Sequence, residues 1–349
     1  MFNIKARNVN EAWAMFHVFA SNPIFFRDLN PRGVKTSELK EPTTTTYARP
    51  EECVLLDPVR DANPFFHLYE SLWILAGRND VARLRYYNPQ IQVYSDNQET
   101  FHGAYGYRMQ HASGVGNQIT AAITTLREDR NSRRAVIGLW MPSLDLVATA
   151  EQGADIPCNT TIYFKVREGA LRMMVCNRSN DAVWGAYGAN AVQFSFLQQY
   201  VAAAIEAKIG PYTQVSDSLH VYREGKAGEV WDRCREHPPI LLDSYAPEAL
   251  GVTYNVPLVQ DHVRFKHEAD CLTSPADGTP GVGVTEYREP FVNLVALPLL
   301  IAFEEYRKYG PESGLLHLSP VNPNAWIRAG REWLERRVAS RKQQQRAAA

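Results

Sequence analysis

The sequence has no apolar run long enough to span a bilayer, and its opening residues, MFNIKARNVNEAW, hold no apolar signal core. Cysteine is sparse. Cys53, Cys158, Cys176, Cys234 and Cys271 make an odd count of 5, widely spaced, with no C-x-x-C pair. That pattern argues against a disulfide framework or a zinc site and fits a reducing compartment. Net charge is also lacking, at -1 formally. The chain therefore has no electrostatic footprint for wrapping duplex nucleic acid. A small anionic ligand is still compatible, because a few local arginines suffice to hold one. No internal repeat stands out. Together these absences predict a soluble, cytoplasmic protein with no metal, no membrane and no direct nucleic-acid partner.

What is present is globular: 349 residues, 45% hydrophobic and 21% charged, enough for a large core without staples. Residues 8–20 read as an amphipathic helix opened by an Asn cap. FFRDLNPRGVKTSELKEPTTTT reads as a polar loop. A helix is expected over 65–76, stopped by Gly77, and another in GNQITAAITTLREDRNS. RRAVIGLWM has the look of a buried strand. NTTIYFKVREGALRMMVCNRS reads as strand, turn at Glu168-Gly169, strand. ANAVQFSFLQQYVAAAIEAKIG reads as a long helix closed by Gly210, and YTQVSDSLHVYRE as one short strand. Strands and helices mix without strict alternation, which predicts an α+β fold with a mixed β-sheet packed by helices. Residues 235–290 are rich in Pro and Asp and carry no clear pattern. The end, NAWIRAGREWLERRVASRKQQQRAAA, starts as a helix and is expected to fray as a basic tail over 331–349.

Several residues could carry chemistry. Cys158, in GADIPCNTTIYF, is either an inert small hydrophobe or a nucleophile whose pKa nearby cations lower. The arginine-bearing segments NSRRAV and CNRSND flank it. In CNRSND, Arg178 beside Ser179 would make a phosphate grip, and a polar strand end is the plain alternative. Arg133 and Arg134 open a strand, so one side chain could serve the interior while the other reaches a neighbouring surface. Glu70 sits in the apolar helix HLYESLWIL. If buried, its pKa would rise toward values useful in acid–base work; if exposed, it is ordinary helix surface. His220 and Tyr222, two apart on a strand, share a face and could bond one ligand group.

Taken in order, RDLNPRGVKTSEL, YESLWILAGRND, GAYGYRM, NSRRAVIGLW, PCN, CNRSNDAVWG, AN and DSLHVY resemble the thymidylate synthase family, including its pyrimidine hydroxymethylase branch. The series runs from about Arg27 to Tyr222. The resemblance implies one catalytic domain over 1–330, with a sheet face at a homodimer interface. It implies a pyrimidine nucleoside monophosphate as substrate and 5,10-methylenetetrahydrofolate as co-substrate. Pro157-Cys158 matches the nucleophile motif, so Cys158 would add to C6 of the base. By the same resemblance Arg178 and Ser179 grip the phosphate, with Arg32, or else Arg27, from a mobile loop. Arg133 and Arg134 would reach the phosphate in the neighbouring subunit. Glu70 would order water and relay protons, and Tyr105 would assist proton removal from C5. Asp181 would contact the folate pterin, and His220 with Tyr222 the sugar 3′-hydroxyl. Asn190 would read the base, given one inserted residue in WGAYGAN.

The family divides at the exocyclic methylene, which synthases reduce to methyl and hydroxymethylases hydrate. Three departures from the synthases favour hydration. Asn159, not His, follows the nucleophile. VYSDN, with Tyr94 or Gln92, stands where synthases place a shielding tryptophan. The chain ends in RKQQQRAAA rather than a short apolar lid. A site less able to exclude water favours addition of water. Asn190 favours dUMP over dCMP, although a flipped amide matches cytosine too. The expected reaction is dUMP to 5-hydroxymethyl-dUMP, the setting of that branch being a virus that builds modified DNA. The alternatives are dCMP hydroxymethylation and thymidylate synthesis.

Overall fold

The computed structural model describes residues 1–112, 114, 116–239, 245, 256–274 and 286–348. Two mixed sheets organise them. The larger has the order β1-β4-β9-β7-β6-β5, from β1 (Phe2–Ala6), β4 (Thr43–Tyr47), β5 (Val136–Gly138), β6 (Asn159–Arg167), β7 (Ala170–Asn177) and β9 (Lys208–Ser216). The smaller has the order β2-β3-β10-β8, from β2 (Phe26–Leu29), β3 (Thr36–Leu39), β8 (Asn180–Asp181) and β10 (Leu219–Tyr222). Parallel pairs (β1 with β4, β7 with β9, β10 with β8) occur beside antiparallel ones in both sheets, as the α+β reading anticipates.

Helix α1 (Val9–Ala20) starts where the Asn8 side chain accepts from the backbone amides of Asn10 and Glu11. Helix α2 (Pro64–Leu75) is capped by Asn63 and followed by Gly77 at φ +75°. Every residue of α2 is buried, because it packs against the helices Asn190–Ala204 and His262–Thr273 and against the helix Ala325–Ala348. The β6–β7 hairpin closes through Glu168 and Gly169 at φ +56° and +74°, two left-handed residues whose twist suits a tight turn.

Four segments depart from the sequence reading. The supposed loop over 25–46 holds β2, β3 and β4. Its threonines are polar but β-branched, and in β4 they alternate buried and half-buried between β1 and β9. The long helix ends at Ala204, with Glu206 turned to φ +53°. Gly210 lies inside β9, where a Cβ would come 2.8 Å from the Leu171 carbonyl oxygen. YTQVSDSLHVYRE forms parts of two strands in different sheets. The strand after Arg134 begins only at Val136. Much of the Pro- and Asp-rich stretch 235–290 lies outside the described residues.

The last helix, Ala325–Ala348, runs through residue 330 without a break. Ile327, Trp333 and Leu334 are buried in it, and Arg336 and Arg337 both bond Asp61. Among the described residues no helix is long and apolar enough to cross a membrane.

Candidate active site

A cleft of about 200 Å³ opens between α2, the Tyr94 turn and the start of the helix Asn190–Ala204, with Glu70, Tyr94, Tyr105, Asp155, Asn190 and Gln193 on its walls. Glu70 is there because α2 is buried all round, so the exposed-surface reading of this residue fails. Burial pushes its carboxyl up to about 7, against the pull of the Gln193 hydrogen bond. Its Oε2 has no hydrogen-bond partner among the described residues. A carboxyl that is half ionised near neutrality can both hold and release a proton.

Cys158 lies one residue before β6, at the edge of the cleft rather than among its lining residues, and near enough to Tyr94 for its charge to raise that phenol. The β6–β7 ladder pairs Asn159 with Asn177, which brings Arg178 alongside the thiol. The Arg178 backbone amide donates to the Cys158 carbonyl at 2.9 Å. Its guanidinium donates to the Pro157 and Ile156 carbonyls, both at 2.9 Å, and lies 4.0 Å from Sγ. Ser179 follows, half-buried. Of the two readings the sequence leaves open for this thiol, the cation-lowered pKa is not what the resting site has. Burial pushes the thiol up, with Asp155 and Asp181 adding to it, while Arg178 and Arg32 pull it down and do not prevail. The resting thiol is protonated at neutral pH, so its activation requires a proton acceptor or a new cation.

Tyr105 is close enough that the Cys158 charge raises its phenol further. Burial is the larger cause, Asp155 adds to it, and hydrogen bonds from Asn159 oppose it. Arg27 is occupied by Glu38 at 2.6 Å. Arg32 instead stands in the electrostatic surroundings of Cys158 and Tyr222, at φ +53° on the turn Pro31–Gly33. Of the two loop arginines, Arg32 is the one near the thiol. Arg133 and Arg134 are both exposed, so neither serves the interior.

The second sheet comes near the thiol and Tyr94 through Asp181 and Tyr222. β8 and β10 pair Asp181 with His220. His220 and Tyr222 share a face as the alternation predicts, their rings 5.3 Å apart and nearly perpendicular. Burial pushes the Tyr222 phenol up to about 12. Asp181 Oδ2 accepts from the Trp184 amide at 2.6 Å. Its carboxyl is raised by burial despite His220, and Oδ1 is buried with no partner among the described residues. An orphaned carboxylate oxygen suits an N–H-bearing ligand edge, and the Arg60 guanidinium over the Trp184 ring at 4.2 Å builds a planar wall beside it.

Asn190 is buried at the start of its helix. It donates to Asn180 Oδ1 at 3.0 Å, and its own Oδ1 accepts from Asn159 at 3.5 Å. Tyr187 and Gly188, where the insertion is inferred, are buried and depart from helical geometry inside the wide-turned segment Ala182–Ala189.

Sequence reasoning missed Asp155, Gln193, Asn180 and Arg60. Asp155 lies three residues before the thiol, a proximity that was visible. Gln193 is one helical turn from Asn190 and so on the same face. Asn180 and Arg60 gave no signal. A larger cavity of about 310 Å³ lies by Phe196 and Trp326. The Cys53 thiol there is buried and pushed up to about 12, which marks packing rather than chemistry. Among the described residues no set of three or more His, Cys, Asp or Glu gathers as a metal site.

Residues 52–242 match the family model described as thymidylate synthase. A protein of Pseudomonas phage M6 named deoxyuridylate hydroxymethyltransferase is 38% identical, over 97% of this chain and 95% of its own. One of the same name from Bacillus phage SP01 is 36% identical over 70% and 72%. The crystal structure of thymidylate synthase from T4 phage superposes with a TM-score of 0.49 at 19% identity, covering 64% of this chain and 79% of that one. On the family match and the full-length phage relative, this chain belongs to the thymidylate synthase family.

Proposed function

We propose that this chain transfers a one-carbon unit to C5 of dUMP and leaves it as a hydroxymethyl group. The observation that carries the reading is the meeting of Glu70, Tyr105 and Asn190 at one cleft, with the Cys158 thiol near enough to Tyr105 and Tyr94 to raise both phenols. The full-length likeness to a phage protein named for that activity supports it.

Cys158 adds as thiolate to C6 of the base, which makes C5 an enolate-like nucleophile and divides one hard step into easier ones. Bound 5,10-methylenetetrahydrofolate, which the open oxygen of Asp181 would hold, would supply the one-carbon unit and leave as tetrahydrofolate once the C5 proton is lost. The Cys158 thiolate would depart from C6 after water adds, restoring the ring double bond. Tyr105, with its raised phenol, stays protonated and assists loss of the C5 proton through its oxygen. Glu70 orders water and shuttles a proton near neutral pH. Arg178, Ser179 and Arg32 hold the phosphate, while His220 and Tyr222 bond the sugar 3′-hydroxyl. The protein acts as a homodimer across a sheet face, with Arg133 and Arg134 reaching the partner's nucleotide. Residues 1–330 form the catalytic unit, and the reaction takes place in the cytoplasm, the host's where the source is viral.

Water completes the reaction because the cleft is open where a shield would sit. Tyr94 lines it and is 55% exposed. Hydride transfer needs that water excluded. The test is a mass assay with dUMP and dCMP in parallel, each with 5,10-methylenetetrahydrofolate. A gain of CH2O, about 30 mass units, on dUMP supports the reading. A gain of CH2, about 14 units, with dihydrofolate formed makes the chain a synthase. Turnover of dCMP alone moves the base assignment.

A further inference from the structure

Asn190 does not choose its own orientation. The Ala186 carbonyl oxygen can only accept, and the Gln214 Nε2 amide donates to it at 2.9 Å. Tyr47 donates its hydroxyl proton to the same carbonyl at 3.0 Å, so the Tyr47 oxygen can only accept from Gln214 Nε2, also at 3.0 Å. Both contacts force Gln214 to turn Oε1 the other way. Asn180 Nδ2 donates to that oxygen at 3.0 Å and to Ser216 Oγ at 3.0 Å. Asn180 Oδ1 is therefore left facing Asn190, whose Nδ2 donates to it at 3.0 Å. On the other side Asn159 Nδ2 approaches Asn190 Oδ1 at 3.5 Å.

Every side chain in this series is buried: Tyr47, Gln214, Asn180, Asn190 and Asn159 are 2%, 1%, 2%, 7% and 0% exposed. Gly185 leaves the room it needs, since a Cβ there would lie 2.7 Å from Asn180 Oδ1. Flipping Asn190 would set oxygen against oxygen at Asn180 and donor against donor at Asn159. Buried mismatches of this kind are costly.

We infer that Asn180 and Gln214 are positioning residues that fix the amide of Asn190 and thereby make the site select uracil over cytosine. The inference rests on the proposed reading of the cleft as a pyrimidine nucleotide site. Held this way, Asn190 offers an accepting Oδ1 and one spare Nδ2–H. Uracil meets them with N3–H and O4. Cytosine presents the reverse pattern, an accepting N3 and a donating N4, so the same rigid amide meets like with like. A freely turning amide would take either base. The relay converts a permissive side chain into a selective one, and a hydrogen-bonding site of fixed polarity discriminates strongly.

The test measures dUMP and dCMP binding by calorimetry, and turnover of each where it occurs. Asn180→Ala removes the link, and Gln214→Met removes the anchor that sets its polarity. Each variant is checked for folding by circular dichroism, and having two guards against one failing to fold. Both are expected to lower the dUMP-to-dCMP affinity ratio by tenfold or more. Asn180→Asp, whose protonated carboxyl can still donate to Gln214 and accept from Asn190, is expected to retain most of the ratio below its pKa. A general loss of packing would weaken both nucleotides alike and leave the ratio unchanged. Folded Asn180→Ala and Gln214→Met proteins with the wild-type ratio would overturn the relay alone. Wild-type protein that binds neither nucleotide would overturn the reading of the site, and the relay with it.

Discussion

The rim and the floor of the cleft solve the same problem, holding polar ligand groups, by opposite means. At the rim the groups are charged. Arg178 is exposed, lies against the carbonyls of Ile156 and Pro157, and approaches the thiol to 4.0 Å. At the floor, apart from the carboxyls of Glu70 and Asp155, the groups are neutral amides: Asn159, Asn180, Asn190, Gln193 and Gln214, all buried. A guanidinium costs little where water still reaches it, while buried charge is expensive and an amide network is tolerable if its members are paired. Glu70 and Asp155 are the exceptions, and burial raises both carboxyls, that of Glu70 to about 7. The difference teaches that the rim supplies affinity for an anion, whereas the floor supplies orientation and proton transfer.

The sharpest break in that division is at the thiol between them. Cys158→Ser should lower turnover by a factor on the order of 10⁴ or more while dUMP binding persists, measured by single-turnover kinetics and calorimetry. Glu70→Gln comes next. It should lower kcat by roughly 10²–10³ with little change in KM, the signature of a floor residue acting on protons.

The same variant tests the burial argument through stability. The folded pKa of Glu70, about 7, exceeds its unfolded value of 4.5. The neutral form is favoured in the fold, so its contribution is full below pH 4.5 and is lost as pH rises through 7. The loss amounts to about 3 kcal/mol at most. Urea unfolding at several pH values should show that slope in the wild type and its absence in Glu70→Gln. Arg178→Ala should act in the contrary sense to Glu70→Gln. KM for dUMP should rise about 10- to 100-fold, the worth of one charge-assisted contact, and the wild-type KM should weaken with added salt while that variant's does so less. The smallest effect is expected away from the cleft. Asp61→Ala, which releases Arg336 and Arg337, should cost about 1 kcal/mol in urea unfolding with kcat unchanged.

How much of this was legible beforehand differs between rim and floor too. Cys158, Arg178 and Ser179 lie in short ordered motifs, and the hairpin turn at Glu168-Gly169 that brings them together announces itself locally. Glu70 could be named but not placed, because an apolar helix with one carboxylate reads the same whether it is buried all round or on one side. The floor amides stayed hidden. Asn180 and Gln214 meet through the β8–β10 and β9 strands, long-range pairings that no local spacing encodes. The threonines of β4 misled in the opposite direction, since polarity suggested loop where β-branching favoured strand. For the thiol two readings stayed open. Neighbouring arginines in sequence suggested a lowered pKa, but whether burial outweighs them depends on packing alone.

The most direct measurement is trapping with 5-fluoro-dUMP and 5,10-methylenetetrahydrofolate, followed by intact mass and peptide mapping. Fluorine cannot leave C5 as a cation, so an adduct formed by thiolate attack at C6 stalls on the protein. The account predicts a mass increase equal to the nucleotide with its folate-derived unit, mapped to the peptide bearing Cys158 and absent from Cys158→Ser. No adduct, or one mapped to Cys53, Cys176, Cys234 or Cys271, would contradict it.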